Sequence, residues 1–129
     1  MKYFPFATSS GLGAAGAPST DVIVSMYGRK INLRGFQFTC PPIPSVTGLA
    51  TLVVSGVTDT TQPGAGVDNG QMTFTFTPST TEVVTVALDF AEGCVESFSG
   101  VKFTVTPNGA DDLSSSLINS WGQLIPIGE

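Results

Sequence analysis

The strongest constraint on this chain is a stretch of strict two-residue alternation between Gln71 and Phe90. Large apolar side chains occupy every second position on both sides of a polar break at residues 78–81: Met72, Phe74, Phe76, Val84, Val86, Leu88 and Phe90. Successive side chains of a β-strand point to opposite faces, so each half is a strand with one apolar face. We predict a β-hairpin here. Because two such strands are not stable alone in water, a second layer must cover them.

Further alternating segments supply that second layer, at residues 21–27, 30–39, 49–56 and 94–106. Within 30–39 the apolar residues change parity at Gly35, which predicts a β-bulge, and Ser99-Gly100 predicts another. Prolines 41, 42 and 44 end the second of these strands, because proline cannot donate to a ladder. With about seven strands, the pattern predicts an all-β fold, a single antiparallel β-sandwich of immunoglobulin-like, Greek-key type.

The two ends of the chain do not follow the strand pattern. Residues 1–20 are rich in glycine and alanine without periodicity and predict an extended arm. This arm either folds back on its own domain or, as we favour, binds a neighbouring subunit through Tyr3, Phe4 and Phe6. Near the other end, Leu113, Leu117 and Trp121 recur at helical spacing behind a capping aspartate, which predicts one short C-terminal helix. An extended tail follows from residue 123.

These assignments divide the chain into three segments. Residues 1–20 form the N-terminal arm, residues 21–109 the β-sandwich core, and residues 110–129 the short helix and tail. We expect this last segment to pack on the core or on a neighbour. A chain of 129 residues is long enough for one core of this kind and too short for two.

Charge is scarce and unevenly distributed. Charged residues make up 12% of the chain, about half of the usual share of roughly 25%. Low charge is a handicap for a lone soluble monomer, but less so for a protein packed against neighbours. The net charge of −5 argues against nucleic acid as a partner.

The first forty residues hold four basic residues against one acidic residue, a net +3, and the remainder holds one against nine, a net −8. This segregation is either incidental or complementary between copies. Arg29, Lys30 and Arg34 are accordingly candidate partner contacts, with a solvated strand edge as the alternative.

The residues that usually carry chemistry are missing or out of context. Without histidine there is no His-dependent triad, and zinc lacks its usual ligand. The G-x-G-x-x-G letters at residues 11–16 have no parallel strand leading into them and no helix after them, since Pro18 stands where the helix would run, so a dinucleotide site is rejected. Paired loop carboxylates for glycoside hydrolysis, and calcium in the loop from Asp59 to Asp68, are weaker alternatives. We predict a non-enzymatic protein with no cofactor and no metal.

Two further features bear on the location of the protein. Cys40 and Cys94 are either two free thiols, buried or half-buried, or the two halves of a bridge between sheets. No apolar run has the length of a signal-peptide core or of a membrane-spanning helix. We therefore expect a protein that is made and used without crossing a membrane by its own signal.

A small, charge-poor β-sandwich rich in Ser, Thr and Gly, with long ordered arms, resembles bacteriophage virion proteins, especially small capsid decoration proteins. The resemblance covers the whole chain and rests on no diagnostic motif. It implies a structural protein of the virion, assembled in the host cytoplasm, that binds the major capsid protein or other virion subunits and forms a homo-oligomer there. No nucleic acid or membrane partner is implied. The anchors would be Tyr3, Phe4 and Phe6 in the first arm and Trp121, Leu124, Ile125 and Ile127 in the last.

Two other functions remain open at this point. A phage tail or head–tail junction component has the same composition and differs in symmetry and location. A cell-surface adhesin or carbohydrate-binding module would use the long loop Val57–Gly70, since exposed loops on rigid scaffolds often carry contacts. An enzyme is the least favoured alternative.

Overall fold

Nine β-strands make up the regular structure. The computed structural model describes residues 4–24, 29–57, 68–89, 95–97 and 100–126. In chain order the strands are β1 (Phe4–Gly11), β2 (Ser19–Val24), β3 (Arg29–Cys40), β4 (Ala50–Val57), β5 (Asp68–Phe76), β6 (Val84–Asp89), β7 (Val95–Ser97), β8 (Gly100–Thr106) and β9 (Leu117–Pro126).

The strands form two antiparallel sheets packed face to face. The first sheet has the order β1-β9-β3-β6, with β7 also paired to β3, and the second has the order β2-β8-β4-β5. The chain changes sheet at almost every connection, so that β4 and β5 are the only consecutive strands paired within the described residues. Apart from the short strand β7, each sheet has four strands, and sheets connected in this way form a jelly roll, which is built from two Greek keys.

The all-β sandwich prediction is confirmed, but its immunoglobulin-like topology is wrong. In an immunoglobulin domain the first two strands are neighbours in one sheet. Here β1 and β2 lie in different sheets, and β1 pairs with β9 instead. Alternation in the sequence indicates which side chains of a strand are buried. It does not indicate strand order, so the same pattern is compatible with an immunoglobulin-like sandwich and with a jelly roll.

The opening hairpin prediction is wrong for the same reason. Both strands exist, but β5 pairs with β4 and β6 pairs with β3, in opposite sheets. Their apolar faces meet across the core instead of lying side by side. The connection between them, residues 77–83, crosses from one sheet to the other, and the Ile43 N–H donates to the Ser79 carbonyl oxygen at 3.0 Å to hold it.

The strand predicted over residues 94–106 is also divided between the sheets. Residues 95–97 pair with β3, whereas residues 100–106 pair with β2 and β4. The change of parity near Ser99-Gly100 therefore marks a change of sheet, and the sequence alone does not distinguish that from a bulge. Cys94 and Phe98 lie outside the described residues.

The bulge predicted at Gly35 is confirmed. Leu33 is opposite Gly122 and Gly35 is opposite Trp121, so Arg34 is the extra residue in β3. The insertion returns the apolar side chains to the inner face on both sides of it. All of them are buried: Ile31, Leu33, Phe36, Phe38 and Cys40.

The predicted C-terminal helix is absent, and the predicted coil near the N-terminus contains strands. Residues 117–126 form β9, which is hydrogen-bonded to β1 on one side and β3 on the other. Pairing on both sides gives the N–H and C=O groups of β9 more hydrogen-bond partners than a short helix would. The helical spacing of Leu113, Leu117 and Trp121 is therefore coincidental. Residues 4–11 form β1 on their own domain, and Ser19 begins β2. The division into arm, core and tail segments stays a prediction.

Aromatic contacts between the layers form the centre of the core. Phe36 of β3 lies 5.5 Å from Phe74 of β5 and 5.7 Å from Phe103 of β8, measured between ring centroids. Phe38 lies 5.3 Å from Phe76 in the same way. Each contact joins one sheet to the other, and edge-on aromatic pairs contribute about 0.5–1.5 kcal/mol beyond their buried area.

Two glycines allow large rings to lie against the first sheet. A Cβ on Gly35 would meet the indole of Trp121, and a Cβ on Gly122 would meet the Asn32 carbonyl oxygen and the Phe6 ring. We predict that Gly35→Ala and Gly122→Ala each lower the free energy of unfolding by about 1–3 kcal/mol, as overpacking does. The loss should be larger at Gly122, where a backbone atom must move.

Urea denaturation measures this loss, and Gly11→Ala is the matched control. The Gly11 Cβ position has only the Ser116 carbonyl oxygen nearby, at 4.0 Å, so its effect should stay within about 0.5 kcal/mol. Equal losses at all three glycines would mean that close approach of the rings is not what Gly35 and Gly122 provide.

Candidate functional site

The predicted partner residues come from three parts of the chain, and the fold brings those that the structure describes onto three neighbouring strands. In the ladder β1-β9-β3, Phe4 is opposite Leu124, which is opposite Ile31, and Ile125 is opposite Lys30. Tyr3 and Ile127 lie outside the described residues, and so do the side chains of Phe4, Arg29 and Lys30.

Within this ladder the predicted anchors divide between two faces. Phe6 and Leu124 point inward and pack against the core cluster. Ile125 is buried as well. These side chains therefore stabilise their own domain, and their predicted contact with a partner stays a prediction.

Among the predicted anchors whose side chains the structure describes, Trp121 remains partly at the surface. It alternates with the buried residues Ser120 and Gly122, so it lies on the outer face of the first sheet, where its indole covers Gly35. Arg34 is the extra residue of the β3 bulge and directly precedes Gly35 in the sequence. Its side chain is half-buried and has interactions of its own. The bulge thus provides the flat site on which the indole lies.

Four connections meet at one end of the sandwich, which we call the loop end: residues 12–18, 41–49, 77–83 and 107–116. The register requires this, because β3 ends where β6 and β9 begin, and β4 begins where β5 and β8 end. Sequence reasoning missed this surface, since it looked to the arms and to the loop Val57–Gly70. Residues 58–67 of that loop lie outside the described residues.

A buried carboxylate, Asp111, holds the loop end together. The Thr47 N–H donates to both carboxylate oxygens of Asp111, at 3.0 Å each. The Thr47 hydroxyl lies 3.0 Å from Asp111 Oδ1 and from the Asn108 carbonyl oxygen, and accepts from Asn108 Nδ2 at 3.0 Å. A buried charge is stable only when such donors surround it, so these contacts fix the 41–49 and 107–116 connections against each other.

The first connection, residues 12–18, is tied to the same network through its backbone. The Gly16 N–H donates to the Asp111 carbonyl oxygen at 3.0 Å, and the Leu113 N–H donates to Ala14 at 3.2 Å. Gly13 adopts a φ of 153° against the backbone of Leu113, a conformation and a close approach that only glycine tolerates. The described loops at this end thus form a preorganised surface.

Large apolar side chains are exposed on this preorganised surface. Leu49 is 61% exposed, Val83 is 58% exposed and Leu117 is 49% exposed, and each lies at or just before the start of a strand at the loop end. Exposed apolar residues are ordinary when they stand singly, and these three flank strands of both sheets: Leu49 precedes β4 of the second sheet, whereas Val83 precedes β6 and Leu117 begins β9 of the first. The sequence signal was present: none of the three belongs to the inward alternation of its strand.

Among the described residues, Asp112 has a shifted pKa. Side-chain and backbone hydrogen bonds from Ser114 lower the pKa of Asp112, which is fully exposed. The described ranges contain no group of three or more His, Cys, Asp or Glu residues that could hold a metal ion. Cys40 is a buried free thiol, which agrees with the free-thiol alternative for that residue. In those ranges we also find no helix long and apolar enough to cross a membrane.

No protein-family profile matches this sequence, and no curated protein sequence matches it. Several solved structures are similar in fold. A chain from Desmodium yellow mottle tymovirus has 10% identity and a TM-score of 0.40, covering 99% of this chain and 90% of its own. A chain from infectious bursal disease virus, Gx strain, has 7% identity and a TM-score of 0.49, covering 99% of this chain and 33% of its own.

The family 11 carbohydrate-binding module from Clostridium thermocellum, in complex with a β-1,3-1,4-mixed-linked tetrasaccharide, is similar to the same extent. It has 9% identity and a TM-score of 0.42, covering 97% of this chain and 88% of its own. At such identities and TM-scores these likenesses carry no argument about function or partners. Jelly rolls serve as capsid, lectin and cupin domains alike, so function has to be argued from the surface.

We predict that Asp111→Asn lowers the free energy of unfolding by about 1.5–3 kcal/mol, the usual worth of a hydrogen bond to a charged group. The amide presents a donor to the Thr47 N–H, so one of the two backbone contacts is lost together with the charge. Chemical denaturation measures the loss.

Asp112→Asn is the matched control for this change, since it removes the same charge from the neighbouring exposed residue. Its effect should be a few tenths of a kcal/mol, as for most surface substitutions. A loss at Asp111 no larger than that at Asp112 would contradict the role assigned to the network.

Proposed function

We propose that this protein is a non-enzymatic structural subunit of a virus particle, most specifically a bacteriophage capsid decoration protein that stabilises the particle. In this proposal it binds the major capsid protein and its own copies, and the virion is its location. The fold by itself leaves this open, because the same fold serves several unrelated functions.

The observation that supports the proposal is the loop end. Hydrogen bonds fix its loops before any partner arrives, and Leu49, Val83 and Leu117 stand exposed on them. A preorganised surface with apolar contacts loses little entropy on binding, which favours a permanent docking role.

Low charge supports the same role. Interface cores are depleted in Lys, Glu and Asp, and this chain has only 12% charged residues. Trp121 adds a half-exposed aromatic side chain on the outer face of the first sheet, of the type that often dominates binding energy.

The direct test is whether the protein is a component of particles from its natural source. Gradient-purified particles are analysed by quantitative mass spectrometry, with copy number expressed relative to the most abundant particle protein. A decoration protein should be present in a fixed, high ratio to that protein, and a tail or junction component in a low ratio. Complete absence from particles, with glycan binding by the purified chain, would favour the carbohydrate-binding alternative.

The contribution of the loop end is tested by adding purified protein back to particles stripped of it. Replacing Leu49 and Leu117 by Ser and Val83 by Thr should weaken rebinding roughly 100-fold, because each partly exposed apolar side chain contributes about 1 kcal/mol when buried. The control variant carries Gln37→Ala, Thr73→Ala and Thr85→Ala on exposed sheet positions and should rebind as the original protein does. Equal rebinding of both variants would exclude the loop end as the docking surface.

A further inference from the structure

We propose that β1 is an exchangeable strand, which leaves its own domain and pairs with β9 of a second copy, while that copy's β1 fills the vacated edge. The inference goes beyond the proposed role in a virion, because it names the segment that joins copies. The inference rests on the contacts that hold β1 in place. Strand exchange could therefore be correct even if the proposed virion role were wrong.

The strand β1 has one neighbouring strand and few described side-chain contacts. It lies at an edge of the first sheet, and within the described residues it pairs with β9 alone, through residues 4–11 opposite residues 117–124. Of its side chains at residues 5–11, Phe6 alone is a large apolar group, and Pro5, Ala7, Thr8 and Ser9 are exposed. By comparison, β3 in the same sheet buries five apolar side chains.

The polar contacts of β1 are few and simple to reproduce. Thr8 Oγ1 lies 2.9 Å from Ser120 Oγ, and the Ser10 hydroxyl donates to Asp21 Oδ2 at 2.8 Å. A second copy offers the same serine, the same aspartate and the same space beside Gly122 for the Phe6 ring. Every contact of β1 is available from either copy. The balance between the monomer and the exchanged dimer is therefore set by protein concentration and by the backbone where β1 joins the rest of the domain.

The backbone at Gly11 and Leu12, where β1 joins the rest of the domain, is suited to strand exchange. Leu12 is fully buried, and its N–H donates to the Ser116 carbonyl oxygen at 3.0 Å, so the chain is fixed from residue 12 onward. Gly11, immediately before it, is exposed, and no packing contact requires a glycine there. Glycine at this position provides backbone freedom between β1 and the fixed backbone that starts at residue 12.

The test mixes two populations of purified protein in which Cys94→Ser removes one native thiol and the buried Cys40 is retained. One population carries Ser9→Cys and the other Asn119→Cys; these two exposed residues lie directly opposite in the ladder. After incubation and mild oxidation, non-reducing electrophoresis should show a covalent dimer that accumulates with time. Adding Phe6→Ala, which removes an aromatic side chain that packs against the core, should speed its formation roughly tenfold or more.

A chain with both cysteines is the geometry control and should close within itself. If it does not close, Thr8→Cys and Ser120→Cys replace the pair, because their side-chain oxygens are already in contact. The matched control mixes Gln37→Cys with Ala87→Cys, an equally exposed opposite pair on β3 and β6, and should give no dimer.

The proposal is overturned if the mixed populations give no dimer while the doubly substituted chain closes. It is also overturned if the Gln37 and Ala87 pair cross-links as fast, since that would mean that whole chains unfold or collide. Dimer formation restricted to the β1–β9 pair supports strand exchange between copies.

Discussion

The structure depends on the packing of β3 against the opposite sheet. This strand pairs with β9 on one side and with β6 and β7 on the other, and its inner face carries Phe36 and Phe38. Their rings meet Phe74, Phe76 and Phe103 across the core. A jelly roll has few local contacts, so these long-range aromatic pairs are what keep two sheets of short strands together.

The bulge in β3 connects this packing to the surface. By inserting Arg34, it keeps apolar side chains inward along the whole strand and places Gly35 beneath Trp121. The core thereby determines where the large outer aromatic lies. At the loop end the Asp111 carboxylate has a similar role, since its contacts with Thr47 determine which side chains the loops present.

Alternation in the sequence predicted most strand positions, the two-layer architecture and the Gly35 bulge, because each follows from which side chains are buried. It failed on connectivity. The residues 71–90 were predicted as a hairpin, and 94–106 as one strand, because an apolar face does not indicate which neighbour a strand pairs with. The loop end was missed for a related reason: Asp111 is buried by contacts from residue 47, and no local pattern reveals a partner that distant in sequence.

On these contacts, the loop end is fixed before any partner binds. Amide hydrogen exchange on the free protein tests it directly at Thr47, Asp111 and Leu113, whose N–H groups donate within the loop end. We predict that these amides are protected to an extent comparable to the β3 amides, because both sets would then exchange only when the whole domain unfolds. Exchange at the rate of an unstructured peptide would show that the surface forms only on a partner, and would contradict the account.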